Sequence, residues 1–142
     1  MKAVLMIVLF MVTLSVYSQN TEEESIIKLL VKESTTWRNG DRKEHAKCWL
    51  VRPYSKVYIS SITGDNFEMP AEKMANPTNF GSGTFENSNY NFSIHNDNAW
   101  VSHDEVSTDV KGNKSYSHEI KMLEKVNNEW KIVAISIHMY KK

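Results

Sequence analysis

Cysteine is nearly absent from this 142-residue sequence, which contains Cys48 alone. A single thiol cannot form an internal disulfide, so the stability of the folded chain must come from core packing or from oligomerisation. Cys48 stands beside Trp49 at the end of a predicted helix, a setting that favours a small buried hydrophobe over a nucleophile. The cysteine content therefore excludes a disulfide scaffold and gives little support to thiol chemistry.

The sequence also lacks an excess of charge of either sign. It has 17 basic and 17 acidic side chains, and removing Lys2 with the export signal described below leaves 17 − 1 = 16 basic side chains. Nucleic-acid binders need a basic surface to neutralise phosphates, so this balance argues against them. A Gly-rich phosphate loop, a Ser-His-Asp arrangement and a Cys/His metal spacing are also missing. We therefore predict no nucleic-acid partner, no metal and no cofactor.

A long apolar run occurs once, at residues 3–12, and it is too short for a membrane-spanning helix of roughly 20 apolar residues. A lysine precedes the run, and Val16 and Ser18 supply the small residues of a cleavage site, which is the pattern of a secretory signal. No cysteine follows it for a lipid anchor. We predict that residues 1–18 are an export signal and that residues 19–142 form a single periplasmic or extracellular domain, without membrane association after cleavage.

Two helices are predicted at the start of this domain. Thr21, with a glutamate three residues later, forms a capping box ahead of an apolar stripe that ends at Asn39-Gly40. Asp41 repeats the capping pattern for a second helix, which Arg52-Pro53 closes because proline lacks a backbone donor. The stripe of the first helix comprises Ile26, Ile27, Leu29, Leu30, Glu33, Thr36 and Trp37.

Strands make up the rest of the domain. Residues 54–62 read as a strand, and residues 63–83 are irregular, with a short helix. Strands are then predicted at residues 84–94 and 99–109, followed by a hairpin at residues 116–140. Helices followed by an antiparallel meander predict an α+β domain with the N-terminal helices packed on one face of the sheet.

The hairpin is centred on Asn127-Asn128, because asparagine tolerates the positive φ that a two-residue turn requires. Val126 then pairs with Glu129. In each cross-strand pair farther from the turn, the two residue numbers have the same sum, 126 + 129 = 255. The first strand places apolar groups on both faces, so the hairpin needs cover on both sides. One face carries Tyr116, His118, Ile120, Met122, Glu124 and Val126, and the other carries Ser117, Glu119, Lys121, Leu123 and Lys125.

Three segments resemble the nuclear transport factor 2-like superfamily, whose members are cystatin-like α+β cones. Residues 37–41 (WRNGD) resemble its helix–helix junction, residues 99–101 (AWV) open a strand, and residues 123–133 (LEKVNNEWKIV) resemble its last strands. The resemblance extends over residues 21–140. It is closer to exported bacterial members with polyketide-cyclase-like (SnoaL-like) domains, many of which have no assigned function.

This resemblance implies a strongly curved antiparallel sheet whose concave side, closed by the helices, forms a pocket. It also implies a convex side that often mediates dimerisation. The superfamily includes steroid isomerases, dehydratases, epoxide hydrolases and non-catalytic binders, so the fold does not fix the function. The acids of the isomerases would fall within residues 57–60 and near Met122, and their tyrosine near Glu33. None of these positions matches, so the isomerase mechanism is not supported.

Two histidines and a carboxylate are candidates for acid–base chemistry. If Lys111-Gly112 form a two-residue turn, Glu105 lies opposite His118, and His103 shares their face. The three side chains would then converge at the pocket. A one-residue slip in this turn moves His103 and Glu105 to the opposite face, where they would form a plain polar patch.

We predict an exported homodimer, joined through the convex sheet face, that binds a small apolar or aromatic molecule in its largely apolar concave pocket without turning it over. Two alternatives stay open. The first is an enzyme of polyketide-cyclase, dehydratase or isomerase type that uses His103, Glu105 and His118. The second is an interaction module whose irregular segment contacts another protein. The predicted pocket residues are Trp37, His45, Trp49, Tyr58, Val101, Tyr116, Ile120 and Met122.

Overall fold

The computed structural model describes the backbone of residues 2–142 and the side chains from residue 21 onward. The predicted export signal, residues 1–18, lies outside the residues whose side chains are described and stays a prediction. Within residues 21–142, no helix has the length and apolar character needed to cross a membrane. The elements are α1 (Lys2–Asn39), α2 (Arg42–Ala46), β1 (Lys56–Ser60), β2 (Asn66–Pro70), α3 (Ala71–Ala75), β3 (Thr84–His95), β4 (Asn98–Thr108), β5 (Lys114–Val126) and β6 (Glu129–Tyr140).

The strands of the described chain form one sheet in the order β2-β1-β6-β5-β4-β3. Strands β3 to β6 make the predicted antiparallel meander. Strand β1 joins β6 in parallel, and β2, which was predicted to be irregular, adds an antiparallel edge. The sheet curls without closing, and the helices pack on it. The predicted α+β class, with N-terminal helices on a curved and mainly antiparallel sheet, is confirmed.

The junction between α1 and α2 follows the prediction. Helix α1 ends at Asn39, and Gly40 has a φ of +70°, the left-handed conformation that commonly ends a helix. Asp41 caps α2, because its Oδ1 accepts a hydrogen bond from the Glu44 backbone N–H at 3.1 Å. The cap predicted at Thr21 is wrong, since α1 begins at Lys2 and Thr21 lies within it.

The second helix is shorter than predicted. It ends at Ala46 instead of at Arg52-Pro53, because the next residues pair with β6. The Leu50 N–H donates to the Ile132 carbonyl at 2.9 Å, and the Ile132 N–H donates to the Cys48 carbonyl at 2.8 Å. This backbone pairing ties the end of the helical region to the centre of the sheet.

The hairpin between β5 and β6 has the predicted turn. Asn127 and Asn128 have φ values of 52° and 63°, and Val126 pairs with Glu129. The pairing then shifts by one residue, because Leu123 lies opposite Ile132 while Met122 lies opposite Ala134. Val133 is therefore a β-bulge, which bends β6. The predicted register is correct from the turn to the bulge and wrong beyond it.

The inner, concave face of the sheet is the face that carries Leu123. Leu123 packs with Ile26 and Leu30 of α1 and with Ile132 in the main core. Because side chains in a strand alternate between faces, Lys121, Glu119 and Ser117 also point inward, and all three are buried. The apolar residues Ile120 and Met122 are on the outer, convex face and are exposed.

Candidate functional site

A cavity of about 190 Å³, open to solvent on one side, lies between the C-terminal half of α1 and the concave face of the sheet. It is the candidate site because most of the polar side chains in its wall are buried. Seven of its eleven lining residues are polar or charged, so the largely apolar pocket that was predicted is wrong for this cavity. The lining residues are Glu33, Ser34, Trp37, Arg38, Met74, Glu105, Ser107, Glu119, Lys121, Ile135 and Ile137.

A buried lysine joins α1 to β5 at the cavity wall. Lys121 Nζ donates to Glu33 Oε2 at 3.2 Å and lies 3.2 Å from Glu119 Oε2. Burial alone would lower the pKa of Lys121, but the carboxylates of Glu33, Glu119 and Glu105 together raise it above its ordinary value. Lys121 therefore carries a full positive charge at neutral pH inside the protein.

A second ion pair lies beside the first and joins α1 to β4. Arg38 Nη2 is 2.7 Å from Glu105 Oε1, and the Ser34 hydroxyl donates to Glu105 Oε2 at 3.1 Å. The Ser107 hydroxyl donates to Glu105 Oε1 at 2.8 Å. Burial acts to raise the pKa of Glu105, but the Arg38 guanidinium and Lys121 keep it below its usual value. Glu105 is consequently ionised and held by at least three donors.

The connection between β4 and β5 decides which face each histidine occupies. It is a five-residue loop, because Thr108 pairs with Lys114, and not the predicted two-residue turn at Lys111-Gly112. The loop is closed by Asp109, whose N–H donates to the Asn113 carbonyl at 3.0 Å and whose Oδ1 accepts from the Asn113 N–H at 2.8 Å. His103 consequently pairs with Glu119. This register differs by one residue from the predicted one, and it is the slip that moves His103 and Glu105 to the opposite face.

His103 is fully buried on the concave face. Its Nε2 is 3.8 Å from Glu119 Oε2, too far for a hydrogen bond, and its ring centroid is 5.4 Å from that of Tyr90. Neither ring nitrogen has a hydrogen-bond partner within residues 21–142. Burial, assisted by the charge of Lys121, lowers the pKa of His103 to about 4, so the imidazole is neutral at physiological pH.

His118 lies on the opposite side of the sheet from His103. It pairs across the strands with Asp104, and its Nδ1 is 2.8 Å from Asp104 Oδ1. The side chain of His118 is 46% exposed. The predicted convergence of His103, Glu105 and His118 is therefore wrong: the five-residue loop leaves His103 and Glu105 inside and places His118 outside.

The other predicted pocket residues divide into three groups. Trp37 lines the cavity, and His45 lies behind it with its Nε2 3.0 Å from the Met74 carbonyl oxygen. Trp49 and Val101 are buried in the core and do not line the cavity. The prediction that four further residues line the concave pocket is wrong, because strand alternation places them on the convex face: Tyr58, Tyr116, Ile120 and Met122.

Sequence reasoning named Glu105 but missed the other charged residues that line the cavity. Glu119 and Lys121 alternate along a strand, a pattern that reads as a solvent-facing edge. One available signal was Glu33, which falls in the apolar stripe of α1. A carboxylate on a buried helix face needs a cation opposite it, and Lys121 on β5 supplies that cation.

A larger groove of about 470 Å³ runs between α1 and the β5–β6 turn. Its lysines are largely paired on the surface, for example Lys32 with Glu44 at 2.8 Å and Lys131 with Glu129 at 2.7 Å. Exposed pairs of this kind are screened by water and contribute little. Across residues 21–142, no group of three or more His, Cys, Asp or Glu side chains could hold a metal ion.

The architecture defines a class: this chain has the nuclear transport factor 2-like, or cystatin-like, α+β fold. A protein of that fold and of unknown function from Shewanella oneidensis superposes with a TM-score of 0.61 at 16% identity, over 82% of this chain and 98% of its own. A cystatin-like protein of unknown function from Nostoc punctiforme superposes with a TM-score of 0.62 at 14% identity, over 82% and 90%.

A third similar structure comes from Novosphingobium aromaticivorans and is provisionally named a scytalone dehydratase. Its TM-score is 0.62 at 14% identity, over 87% of each chain. No family model matches the sequence, and no curated protein matches it. At these identities the superpositions show a shared fold, and the function must be argued from the site.

Proposed function

We propose that this protein is an exported small-molecule-binding domain whose ligand occupies the cavity between α1 and the concave sheet face. The observation that carries the proposal is the buried carboxylate–ammonium–carboxylate cluster of Glu33, Lys121 and Glu119 in the cavity wall. Buried ion pairs contribute little net stability compared with apolar residues of similar size. A folding role alone therefore gives little reason to keep them, whereas recognition of a polar ligand does.

The cavity size limits the ligand. Typical small-molecule sites enclose roughly 300–1,000 Å³. A cavity of about 190 Å³ is smaller than these and suits a compact molecule. Its four apolar lining residues, among them Trp37, provide a surface for an apolar body, and the charged side provides orientation.

Native mass spectrometry of the purified protein tests the occupancy of this cavity. We expect a bound small molecule that the Met74→Trp variant excludes, because Met74 lines the cavity and an indole would fill it. Met69→Trp is the matched control, since Met69 packs on the core and does not line the cavity. A ligand retained equally by both variants would place the binding elsewhere, and a protein that binds no small molecule would contradict the proposal.

An acid–base enzyme is the second candidate, and His103 favours it. A neutral, fully buried imidazole without a hydrogen-bond partner in residues 21–142 lies beside the carboxylate of Glu119. Glu119 lines the cavity and can exchange a proton with a bound molecule, and His103 lies 3.8 Å from it on the buried side. In any assay that shows turnover, a rate unchanged by both His103→Phe and Glu119→Gln would reject this candidate.

We also propose that the protein is a homodimer joined through the convex face. Large apolar side chains lie exposed there, and Trp100 and Met122 are direct cross-strand neighbours. Exposed apolar patches of this kind mark interaction surfaces. The apolar members of the patch are Tyr58, Trp100, Ile120, Met122 and Tyr140.

Met122→Glu is expected to weaken the dimer by about 100-fold or more, because it buries a carboxylate between apolar surfaces. Size-exclusion chromatography with light scattering measures the mass across a dilution series. Val110→Glu is the control, since Val110 is exposed in the loop between β4 and β5 and lies off the convex face. A wild-type protein that is monomeric at micromolar concentration would contradict the dimer.

A further inference from the structure

The charged side chains that line the cavity do not balance. Three carboxylates, Glu33, Glu105 and Glu119, face two cations, Arg38 and Lys121, which leaves 3 − 2 = 1 excess negative charge. His103, beside this group, is neutral. The remaining lining residues are uncharged. A concave site lined by an excess of one charge attracts the opposite charge, so the cavity favours an occupant that supplies a positive charge.

Hydrogen bonding in the cavity points in the same direction. The Lys121 ammonium is engaged by Glu33 and Glu119, and the Arg38 guanidinium is engaged by Glu105, by the Ser107 hydroxyl and by the Ser34 carbonyl. A bound anion would therefore have to compete with these carboxylates for the two cations. Glu33 Oε1, by contrast, is 3.9 Å from His45 Nε2, too far for a hydrogen bond, and can accept one from a ligand.

The apolar side of the cavity suits the same kind of ligand. Trp37 lines it, and the Trp37 ring is fixed by neighbours: its centroid is 5.8 Å from that of Phe80. Gly81 also packs on the ring, since a Cβ at that position would lie 2.2 Å from Trp37 Nε1. An indole held in this way gives the cavity a fixed aromatic wall against which an apolar body can pack.

We propose that the cavity binds a small protonated primary amine. Its ammonium group donates a hydrogen bond to Glu33 and lies near the Glu119 carboxylate, which already accepts from Ser117 and faces Lys121. Its apolar body lies against Trp37, Ile135 and Ile137. The inference rests on the proposed function, because it names the ligand class of that site. It also explains why the carboxylates outnumber the cations: the missing positive charge comes with the ligand.

Three probes of matched size and different charge test this proposal: benzylamine, benzyl alcohol and benzoate. The Trp37 indole N–H signal in NMR spectra, assigned with Trp37→Phe, reports binding at the cavity. We expect benzylamine to bind at least about ten-fold more tightly than benzyl alcohol, because its hydrogen bonds to carboxylates are charge-assisted. Benzoate is expected not to shift the signal.

Removing one carboxylate is expected to remove the preference. Glu119→Gln balances the charge, so benzylamine and benzyl alcohol should then bind with similar affinity. Glu33→Gln removes a carboxylate on α1 instead and is expected to have the same effect. It replaces Glu119→Gln if that variant does not fold. Glu129→Gln is the control, because Glu129 is an exposed residue outside the cavity.

The outcomes separate the two proposals. Benzoate or benzyl alcohol binding at Trp37 as tightly as benzylamine would overturn the amine proposal and leave the binding site standing. A preference for benzylamine that survives both Glu119→Gln and Glu33→Gln would also overturn it. Failure of all three probes to shift the Trp37 signal would reject the binding site and the amine proposal together.

Discussion

Lys121→Met is expected to lower the free energy of unfolding by about 3–5 kcal/mol, because it leaves two buried carboxylates without their cation. Glu33 and Glu119 each lie 3.2 Å from the Lys121 ammonium, on opposite elements of the fold. Methionine fills a similar space, so the loss reports the unpaired charges and not a void. Urea unfolding followed by tryptophan fluorescence measures the change.

Two further variants make this result specific. Adding Glu33→Gln and Glu119→Gln to Lys121→Met is expected to recover most of the loss, because no unpaired charge then remains. Lys114→Met, at the exposed start of β5, should change stability by no more than about 0.5 kcal/mol. A loss below about 1 kcal/mol in Lys121→Met would show that the cluster is not a buried ion network.

The stabilisation by Lys121 has a defined pH window. Its pKa in the folded protein is raised above the ordinary 10.5. Its contribution is therefore complete below pH 10.5 and is lost as the pH rises through the folded pKa.

His103→Phe is expected to make the folded protein more resistant to acid. The pKa of His103 is lowered from 6.5 to about 4, so the folded state binds a proton less readily than the unfolded chain does. Above pH 6.5 the histidine is neutral in both states and costs no stability. As the pH falls from 6.5 toward 4, the unfolded chain takes up the proton first, so the free energy of unfolding decreases. A difference of that size between the pKa of the unfolded and the folded state corresponds to about 3 kcal/mol of unfolding free energy. Phenylalanine keeps the contact with Tyr90 and removes the titration.

The measurement is the free energy of unfolding at pH 7 and at pH 4. The free energy of unfolding should fall between pH 7 and pH 4 by about 3 kcal/mol less in His103→Phe than in wild type. The carboxylates that titrate in this range are present in both proteins, so their contribution cancels in the comparison. His95→Phe, near the exposed β3–β4 turn, is the control and should follow the wild-type curve. Parallel curves for wild type and His103→Phe would show that the imidazole already has a proton partner in the folded state.

The local features of this fold follow from the sequence, and its long-range register does not. Asn127 and Asn128 predict the turn because their side chains allow a positive φ, and both residues adopt it. Nothing in the sequence of β6 marks Val133 as a bulge, because valine is common in regular strands. The five-residue loop closed by Asp109 is a partial exception, since an aspartate ahead of glycine and asparagine favours side-chain-capped turns.

The candidate site was harder to predict than the fold for the same reason. Each strand offers two faces, and a one-residue error in a turn exchanges them. The apolar residues Ile120 and Met122 suggested the inner face, whereas Leu123 and the packing of α1 determine it. The interior therefore contains Lys121 and Glu119, whose burial becomes apparent only when Glu33 is placed opposite them.

The parallel pairing of β1 with β6 has a consequence for how the protein folds. Val57 pairs with Ile135, 135 − 57 = 78 positions later in the chain, whereas the meander joins strands that are neighbours in sequence. Loop-closure entropy delays contacts of such high sequence separation, so β3 to β6 can assemble before β1 docks. Ile135 and Ile137 belong to the cavity wall, and in the sheet they lie beside Val57 and Ile59 of β1. We therefore expect the β6 side of the cavity wall to gain its neighbouring strand late in folding.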